Sequence, residues 1–204
     1  QRTPVGSFQG ALSSVPAPKL GARAIQAALQ KANVQAQDIQ ECIMGEVLTA
    51  GVGQAPARQA AIFAGLPTSV PCMTINKVCG SGLKAVALGA DNIMLGYTDL
   101  AVCGGQENMT LAPFLMENVR DGYRMGNQTL TDSMIKDGLW DPYNQFHMGT
   151  AAELCVKEYK LTREEQDEFA KQSYVKAQDA IAKGLFKNEI AAVDVVKGKE
   201  TFKV

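Results

Sequence analysis

The sequence predicts an α/β fold, built as layers around one mostly parallel sheet. Three observations support this class. Helix-like and strand-like patterns alternate from Lys19 to Gly105. The strand-like segments are continuous apolar runs, which are typical of strands covered on both faces. The composition, 46% hydrophobic and 20% charged over 204 residues, is that of a globular chain large enough to bury a core.

Charge and hydropathy exclude several classes of protein. The 20 basic and 21 acidic residues give a net charge of -1, so the basic field of a nucleic-acid-binding protein is lacking. No apolar run approaches the roughly 20 residues of a membrane span. The amino terminus, QRTPVGSFQG, has no apolar stretch of the signal-peptide type, so we expect a cytoplasmic protein. The five cysteines form no C-x-x-C, and only His147 could join them, which argues against disulfides and a metal site.

The first elements are defined by the spacing of apolar residues and by breakers. Apolar residues at helical spacing predict a helix over Lys19–Asn33. The run from Ile39 to Val47 mixes apolar residues without alternation, which predicts a buried strand. Glycines and a proline then open the alanine-rich stretch APARQAAIFAGL (Ala55 to Leu66), which predicts a second helix.

The next elements surround Cys79. A strand is predicted over Val70–Ile75, and it leads into a cysteine followed by a segment rich in small residues. That segment, GSGLKAVALGADNIMLGY, predicts an apolar helix with Gly96 near its end. The run DLAVCGG (Asp99 to Gly105) predicts another short buried strand.

The second half of the chain is different in character. Residues 106–146 are rich in Met, Asn, Asp, Gly and Tyr and lack periodicity, which is typical of a functional loop region. A helix is predicted over His147–Tyr159. Thr162 and Glu165 then form a capping box for a long amphipathic helix that ends near Lys183. Two strand candidates follow: Glu189–Val196 and Phe202–Val204. Because neither end of the sequence looks like a natural terminus, we expect the chain to be a piece of a longer protein.

Cys79 is the residue that carries the chemistry. It stands at a predicted strand-to-helix junction within MTINKVCGSGLKA (Met73 to Ala85). There the first N–H groups of the helix are unpaired and the helix dipole is positive, which favours a thiolate and can stabilise an oxyanion. Gly80 and Gly82 allow a substrate carbonyl to come close to the sulfur. The sequence predicts a nucleophile here, against the alternative of a buried packing cysteine.

A dinucleotide-binding turn is a competing interpretation of the same segment. Gly80, Gly82 and Ala85 satisfy G-x-G-x-x-A after a predicted strand. The fingerprint also needs an acidic residue at the end of the next strand. Asp99 precedes that strand, which ends in Gly104–Gln106. The nucleophile is therefore favoured.

Three motifs carry a resemblance to a known family. They are NKVCGSGLKAV (Asn76 to Val86), CGGQENM (Cys103 to Met109) and HMGTAAE (His147 to Glu153). With them the sequence resembles the thiolases, and most closely the biosynthetic acetyl-CoA acetyltransferases. Further matches in the same order are RTPVGSF (Arg2 to Phe8), GQAPARQAAIFAGLP (Gly53 to Pro67) and MIKDGLWD (Met134 to Asp141). The resemblance covers essentially the whole chain.

The resemblance implies roles for individual residues. Cys79 matches the family nucleophile, which takes an acyl group from a thioester and holds it until an acetyl-CoA enolate or CoA attacks. Its backbone N–H would form half of an oxyanion hole. Leu139, His147 and Met148 match loop-domain positions that line the CoA and substrate pocket. Taken alone, His147 is better explained as a structural histidine, and with the resemblance the structural and the substrate-binding role are equally open. A coenzyme A thioester is implied as substrate, with no cofactor and no metal.

The resemblance also implies a layered thiolase-like fold with helices on both faces of the sheet. Residues 1–109 would form the amino-terminal half-domain with the nucleophile, and residues 110–204 an incomplete loop (lid) domain. The family's G-H-P histidine, C-G-G-G cysteine and N-E-A-F asparagine belong to its carboxy-terminal half, and none has a counterpart in this sequence. We therefore expect the carboxy-terminal half-fold to be absent from the chain.

The implied function is condensation of two acetyl-CoA molecules to acetoacetyl-CoA, together with the reverse thiolysis. The catalytic histidine and second cysteine would come from the missing half. Two alternatives stay open. One is a 3-ketoacyl-CoA thiolase of fatty acid degradation, and the other is a non-catalytic thiolase-like domain or subunit that needs a partner. The expected ligand is acetyl-CoA or another acyl-CoA. The full-length enzyme is expected to form a homodimer or a homotetramer. We expect neither nucleic acid nor a membrane as a partner.

Overall fold

The computed structural model describes residues 1–204 and contains five α-helices and nine short strands. The helices are α1 Ala17–Ala32, α2 Pro56–Phe63, α3 Ser81–Met94, α4 Met148–Tyr159 and α5 Arg163–Ala182. The strands are β1 Glu41–Gly45, β2 Cys72–Ile75, β3 Ala101–Gly105, β4 Phe114–Leu115, β5 Thr131–Asp132, β6 Trp140–Asp141, β7 Phe146–His147, β8 Asp194–Lys197 and β9 Glu200–Lys203.

The central sheet has the order β2-β1-β3, and both pairings are parallel. In this register Cys42 of β1 pairs with Cys72 of β2, and Ile43 pairs with Cys103 of β3. The predicted α/β class and parallel sheet are therefore confirmed. The remaining strands form three antiparallel pairs, β4–β5, β6–β7 and β8–β9, outside this sheet.

The main core forms where β1 meets α1 and α2. Cys42 and Met44 point to one face of β1 and are buried with Ile25 of α1 and with Ala57 and Ala60 of α2. The alanines allow close packing because they have no side chain beyond Cβ. β1 is buried along almost all of its length, which explains its continuous apolar sequence.

Element boundaries differ from the predicted ones for local reasons. β1 begins at Glu41, two residues after the predicted start, because Ala36–Asp38 forms a 3-10 turn. β2 begins at Cys72, directly after a proline, and proline has no N–H for a strand ladder. α1 ends at Asn33, which adopts a left-handed conformation with φ 54° and so stops the helix.

The region from 106 to 146 is more ordered than the sequence indicates. It contains β4, β5 and β6, and also a π-helix over Met134–Leu139. The predicted strand over Glu189–Val196 is only partly correct, because β8 begins at Asp194. β9 begins at Glu200 rather than at Phe202.

α5 begins at the predicted capping box. The Thr162 hydroxyl accepts the Glu165 N–H at 3.2 Å, and the Glu165 carboxylate accepts the Thr162 N–H at 2.7 Å. The sequence predicts an amphipathic helix here, but in the structure no residue of α5 is buried, so neither of its faces is covered. With so little packing, capping is a large share of what stabilises this helix.

Thr162→Ala is expected to destabilise α5 by about 1 kcal/mol, because it removes the cap. Amide hydrogen exchange in the first two turns of α5 would measure the effect. Ser173→Ala, in the middle of the same exposed helix, is the matched control and should leave exchange unchanged. Equal exchange rates in the two variants would contradict the role of the cap.

The chain divides into two compact units. The first unit comprises Gln1–Gly138 and Ala191–Val204, and the second comprises Leu139–Ile190. The first unit contains the parallel sheet, and the second contains α4 and α5. None of the helices combines the length and hydrophobicity that crossing a bilayer requires.

Candidate active site

Cys79 lies in the turn that joins β2 to α3, and its side chain is exposed. Backbone bonds on both sides fix this turn, which we call the Cys79 turn and define as residues 76–81. The Gly80 N–H donates to the Lys77 carbonyl at 3.1 Å. The Ser81 N–H donates to the Val78 carbonyl at 3.0 Å. The Cys79 N–H is not among the donors of these hydrogen bonds.

The Ser81 side chain braces the Cys79 turn from inside. Its hydroxyl accepts the Lys77 N–H at 2.7 Å and donates to the Val78 carbonyl at 2.6 Å. Ser81 is buried. The Val78 N–H donates to Asn76 Oδ1 at 2.9 Å. The residues before and after the cysteine are therefore held in place.

Val78 adopts a strained backbone conformation. Its φ is 48°, in the left-handed region that a β-branched residue almost never occupies. Such a conformation costs about 1–3 kcal/mol and persists only where surrounding bonds enforce it. Strain of this kind is concentrated at functional sites, and here it directly precedes the exposed thiol.

The amino terminus of α3 follows the cysteine without a side-chain cap. Gly80 is the N-cap residue, and it has no side chain to accept the first N–H groups of the helix. These groups and the helix dipole present partial positive charge next to the sulfur. The arrangement suits a thioester carbonyl that becomes negatively charged during attack.

Two strand-end glycines let α3 sit close to the sheet. A Cβ on Gly45 would lie 2.5 Å from the Ser81 carbonyl carbon and 2.7 Å from the Gly82 nitrogen. A Cβ on Gly105 would lie 3.1 Å from the Gly82 Cα. Because these neighbours are backbone atoms, they cannot move aside as a side chain can. The position of the Cys79 turn therefore depends on glycine at the ends of β1 and β3.

Three of the other cysteines are poorly suited to nucleophilic chemistry. Burial and, to a smaller extent, the neighbouring Cys72 together raise the pKa of Cys42 to about 12. Burial also raises the pKa of Cys72 and of Cys103. Cys155 is exposed on α4.

Iodoacetamide near neutral pH is expected to modify Cys79 and Cys155 at least about tenfold faster than buried Cys42 and half-buried Cys72 and Cys103, because thiolate formation and access both limit alkylation. Cys79 should react fastest, since the end of α3 lies beside it. Peptide mass spectrometry over time measures all five rates in one sample. A rate for Cys42 close to that of Cys79 would contradict the placement of these thiols.

The three residues predicted to line a CoA pocket lie in the second unit, around the β6–β7 pair. Leu139 directly precedes β6, His147 ends β7 opposite Trp140, and Met148 begins α4. His147 Nδ1 accepts the Gly149 N–H at 2.9 Å and so caps α4. Its neutral ring therefore carries a proton on Nε2. The structure brings the three residues together in the second unit, whereas Cys79 belongs to the first.

Sequence reasoning missed the residues that support the Cys79 turn. The sequence pattern identifies Gly45 and Gly105 only as parts of strands, and Ser81 only as part of a helix. A glycine at the end of each of two neighbouring parallel strands is the available signal, since it indicates close approach of another backbone.

Comparison with known proteins agrees with this geometry. The profile of the thiolase N-terminal domain matches residues 1–204. The chain belongs to the thiolase family. Among curated relatives, this thiolase chain is 58% identical over 198 residues to an acetyl-CoA acetyltransferase of Cupriavidus necator, a match that covers 97% of the chain and 50% of the relative. The corresponding enzyme of Pseudomonas aeruginosa is 56% identical over 198 residues, with the same coverage.

A fungal relative shows the same limited coverage. The cytosolic acetyl-CoA acetyltransferase of Gibberella zeae is 52% identical over 205 residues, which is 100% of this thiolase chain and 52% of the relative. The chain thus spans about half the length of the curated relatives it matches. The sequence-based resemblance, including its restriction to the amino-terminal portion, is confirmed.

Proposed function

We propose that this thiolase chain is the nucleophile-bearing part of an acetyl-CoA acetyltransferase, which forms acetoacetyl-CoA from two acetyl-CoA molecules and catalyses the reverse thiolysis. One observation carries the proposal. Cys79 is exposed, lies in a braced and strained strand-to-helix turn, and is followed by an uncapped helix start. The relatives named acetyl-CoA acetyltransferase support the choice of substrate.

In the proposed reaction the Cys79 thiolate attacks the carbonyl carbon of acetyl-CoA, and the thioester bond to CoA breaks. The CoA thiolate leaves and takes up a proton. The acetyl group remains on the cysteine as a thioester. The enolate of a second acetyl-CoA then forms the new carbon–carbon bond and releases the cysteine thiolate. The Cys79 N–H would stabilise the oxyanion in both additions.

Leu139, His147 and Met148 are proposed to contact CoA and the acyl group. Met148 and Leu139 supply apolar surface, and the Nε2–H of His147 is a hydrogen-bond donor because Nδ1 is used in the cap. His147 does not serve as the activating base in this proposal. That base and a second, proton-transferring cysteine belong to the carboxy-terminal half of the thiolases.

The finer fold proposal is a layered thiolase half-fold with helices on both faces of the sheet. Alternation along β1 supports it, because Met44 faces the core formed with α1 and α2 while Gly45 meets the start of α3. α3 also leaves apolar side chains exposed, including Leu83 at 78% and Met94 at 75%. We propose that the carboxy-terminal half covers this face.

The proposed division of the chain is a nucleophile-bearing half-domain over 1–109 and an incomplete loop domain over 110–204. For the whole enzyme we propose a homodimer or homotetramer, with no nucleic-acid or membrane partner. We propose a cytoplasmic location. The Gibberella zeae relative is named cytosolic, whereas an Aspergillus fumigatus relative that is 52% identical over 199 residues is named mitochondrial.

A hybrid enzyme tests the proposed function. This chain would be joined to the carboxy-terminal half of the Cupriavidus necator relative and assayed for thiolysis of acetoacetyl-CoA and of longer 3-ketoacyl-CoA substrates. We expect activity, with acetoacetyl-CoA preferred. Preference for longer chains would indicate a 3-ketoacyl-CoA thiolase. A folded but inactive hybrid, beside an active parent enzyme, would indicate a non-catalytic module.

A further inference from the structure

Glu46 and Gln106 form a buried polar pair that the proposed reaction does not use. They directly follow β1 and β3, and they are 1% and 8% exposed. Gln106 Nε2 donates to Glu46 Oε2 at 2.7 Å and to the Pro56 carbonyl at 3.3 Å, so both amide protons are used. Glu46 Oε1 and Gln106 Oε1 remain buried without a hydrogen-bond partner.

A single proton on the pair would give both oxygens a hydrogen-bond partner. Two buried acceptors without donors are unfavourable. A proton on Glu46 Oε1 turns one acceptor into a donor, and Gln106 Oε1 is an acceptor on the side chain that is already bonded to Glu46. A carboxylic acid and a carboxamide can then be joined by two bonds, one in each direction. Only when Glu46 is neutral can Glu46 Oε1 and Gln106 Oε1 both take part in a hydrogen bond within the pair.

The backbone of the pair connects it to the Cys79 turn. The Glu46 N–H donates at 3.0 Å to the carbonyl of Ile75, the last residue of β2 before the turn. The Gln106 N–H donates at 2.9 Å to the carbonyl of Gly45, where an added Cβ would meet the backbone at the start of α3. The pair therefore joins three strand ends on which the turn and the start of α3 rest.

We infer that Glu46 is a positioning residue for Cys79: as a neutral acid bonded to Gln106, it holds the ends of β1 and β3 together beneath the Cys79 turn. The inference rests on the proposed function of Cys79. When Glu46 ionises, its proton passes to solvent and the bond to Gln106 Oε1 is lost. The buried charge that results weakens the support of the turn.

The surroundings of Glu46 favour the neutral form. Burial raises the pKa of Glu46 from 4.5 to about 7; the hydrogen bond from Gln106 opposes this rise, and the nearby Glu107 carboxylate adds to it. Glu107 follows β3, and burial raises its own pKa. From α1, Lys19 lines the same cavity of about 380 Å³ as Glu46, and from α2 the uncharged Gln59 does so.

The sign of the pH dependence follows from this shift. The pKa of Glu46 is higher in the folded chain than in the unfolded chain, so neutral Glu46 stabilises the fold fully below about pH 4.5. This stabilisation is lost as the pH rises to about 7. Over this pH range the folding equilibrium constant of the native chain is expected to fall on the order of 10²-fold. Glu46→Gln cannot ionise, so this fall should be absent from the variant.

The test is the pH profile of iodoacetamide alkylation at Cys79, measured relative to Cys155 in the same chain. In the native sequence the ratio of the two rates is expected to fall about threefold or more between about pH 6 and about pH 8. In Glu46→Gln it should stay constant within about twofold, because the amide stays neutral and provides a donor. Glu200→Gln, which replaces an exposed carboxylate on β9, is the matched control and should keep the native profile.

The same pH profile in the native chain and in Glu46→Gln would overturn the inference. If Glu46→Gln does not fold, infrared spectroscopy of the native chain decides. A neutral-carboxyl stretch that disappears between about pH 6 and about pH 8, and that is still present at about pH 6 in Glu107→Gln, supports the inference; its absence from the native chain at about pH 6 overturns it. A different result would contradict the proposed function of Cys79. In that case Cys79 would react with iodoacetamide no faster than Cys155 at any pH, whether Glu46 is neutral or ionised.

Discussion

Replacement of Cys79 with serine in the hybrid enzyme is expected to lower the rate of acetoacetyl-CoA thiolysis by at least about 10³-fold. A serine hydroxyl is ionised far less readily than a thiol, and the thiolate is the attacking species. The change removes only the sulfur, so the bonds that brace the turn remain. Unfolding in urea should therefore be nearly unchanged.

Cys155→Ser is the matched control for this prediction. Cys155 is also exposed, but it lies on α4 outside the Cys79 turn. Its replacement should change the thiolysis rate less than about twofold. A Cys79→Ser hybrid that keeps more than about a tenth of the parent rate would show that another group carries the acyl chain.

Gly45→Ala is expected to destabilise the first unit by roughly 2–4 kcal/mol and to slow alkylation of Cys79. The new Cβ would lie 2.5 Å from the Ser81 carbonyl carbon, so the start of α3 must move away from the sheet. Movement of α3 shifts the Cys79 turn, which is bonded to Ser81. Urea unfolding and the alkylation rate together measure the two effects.

Gly104→Ala provides the control, since it adds the same methyl group to a neighbouring strand. Its Cβ would lie 3.6 Å from Met44 Sδ, which is an ordinary contact. We expect less than about 1 kcal/mol of destabilisation and native alkylation at Cys79. Equal effects of the two substitutions would show that α3 does not depend on close approach to Gly45.

The order of elements up to residue 105 is predictable from the sequence because long apolar patterns define it. α1, for example, begins only two residues before its predicted start. The earlier start reflects Pro18, which suits the first helical turn although apolar spacing does not detect it. Two-residue strands such as Phe114–Leu115 have no periodicity at all, so the pairing of β4 with β5 could not be predicted.

Some features of the candidate site could likewise be predicted from the sequence, and others could not. The position of Cys79 between a strand and a helix could be predicted, because such a junction is visible in the sequence as a change of pattern. The close contact of Gly45 with Ser81 arises from tertiary packing: a strand-end glycine indicates that another backbone comes close, but not that it belongs to Ser81. The pairing of Glu46 with Gln106 joins residues that are 60 positions apart, and each one simply follows an apolar strand in the sequence.

The most direct test of the central claim is the location of the acyl group. The hybrid enzyme would be incubated with acetyl-CoA, quenched in acid, digested and analysed by mass spectrometry for thioester-linked acetyl. Our account predicts acetyl on the peptide that contains Cys79, and its loss after treatment with CoA. Acetyl on any other cysteine, or none on Cys79 in an active hybrid, would contradict it.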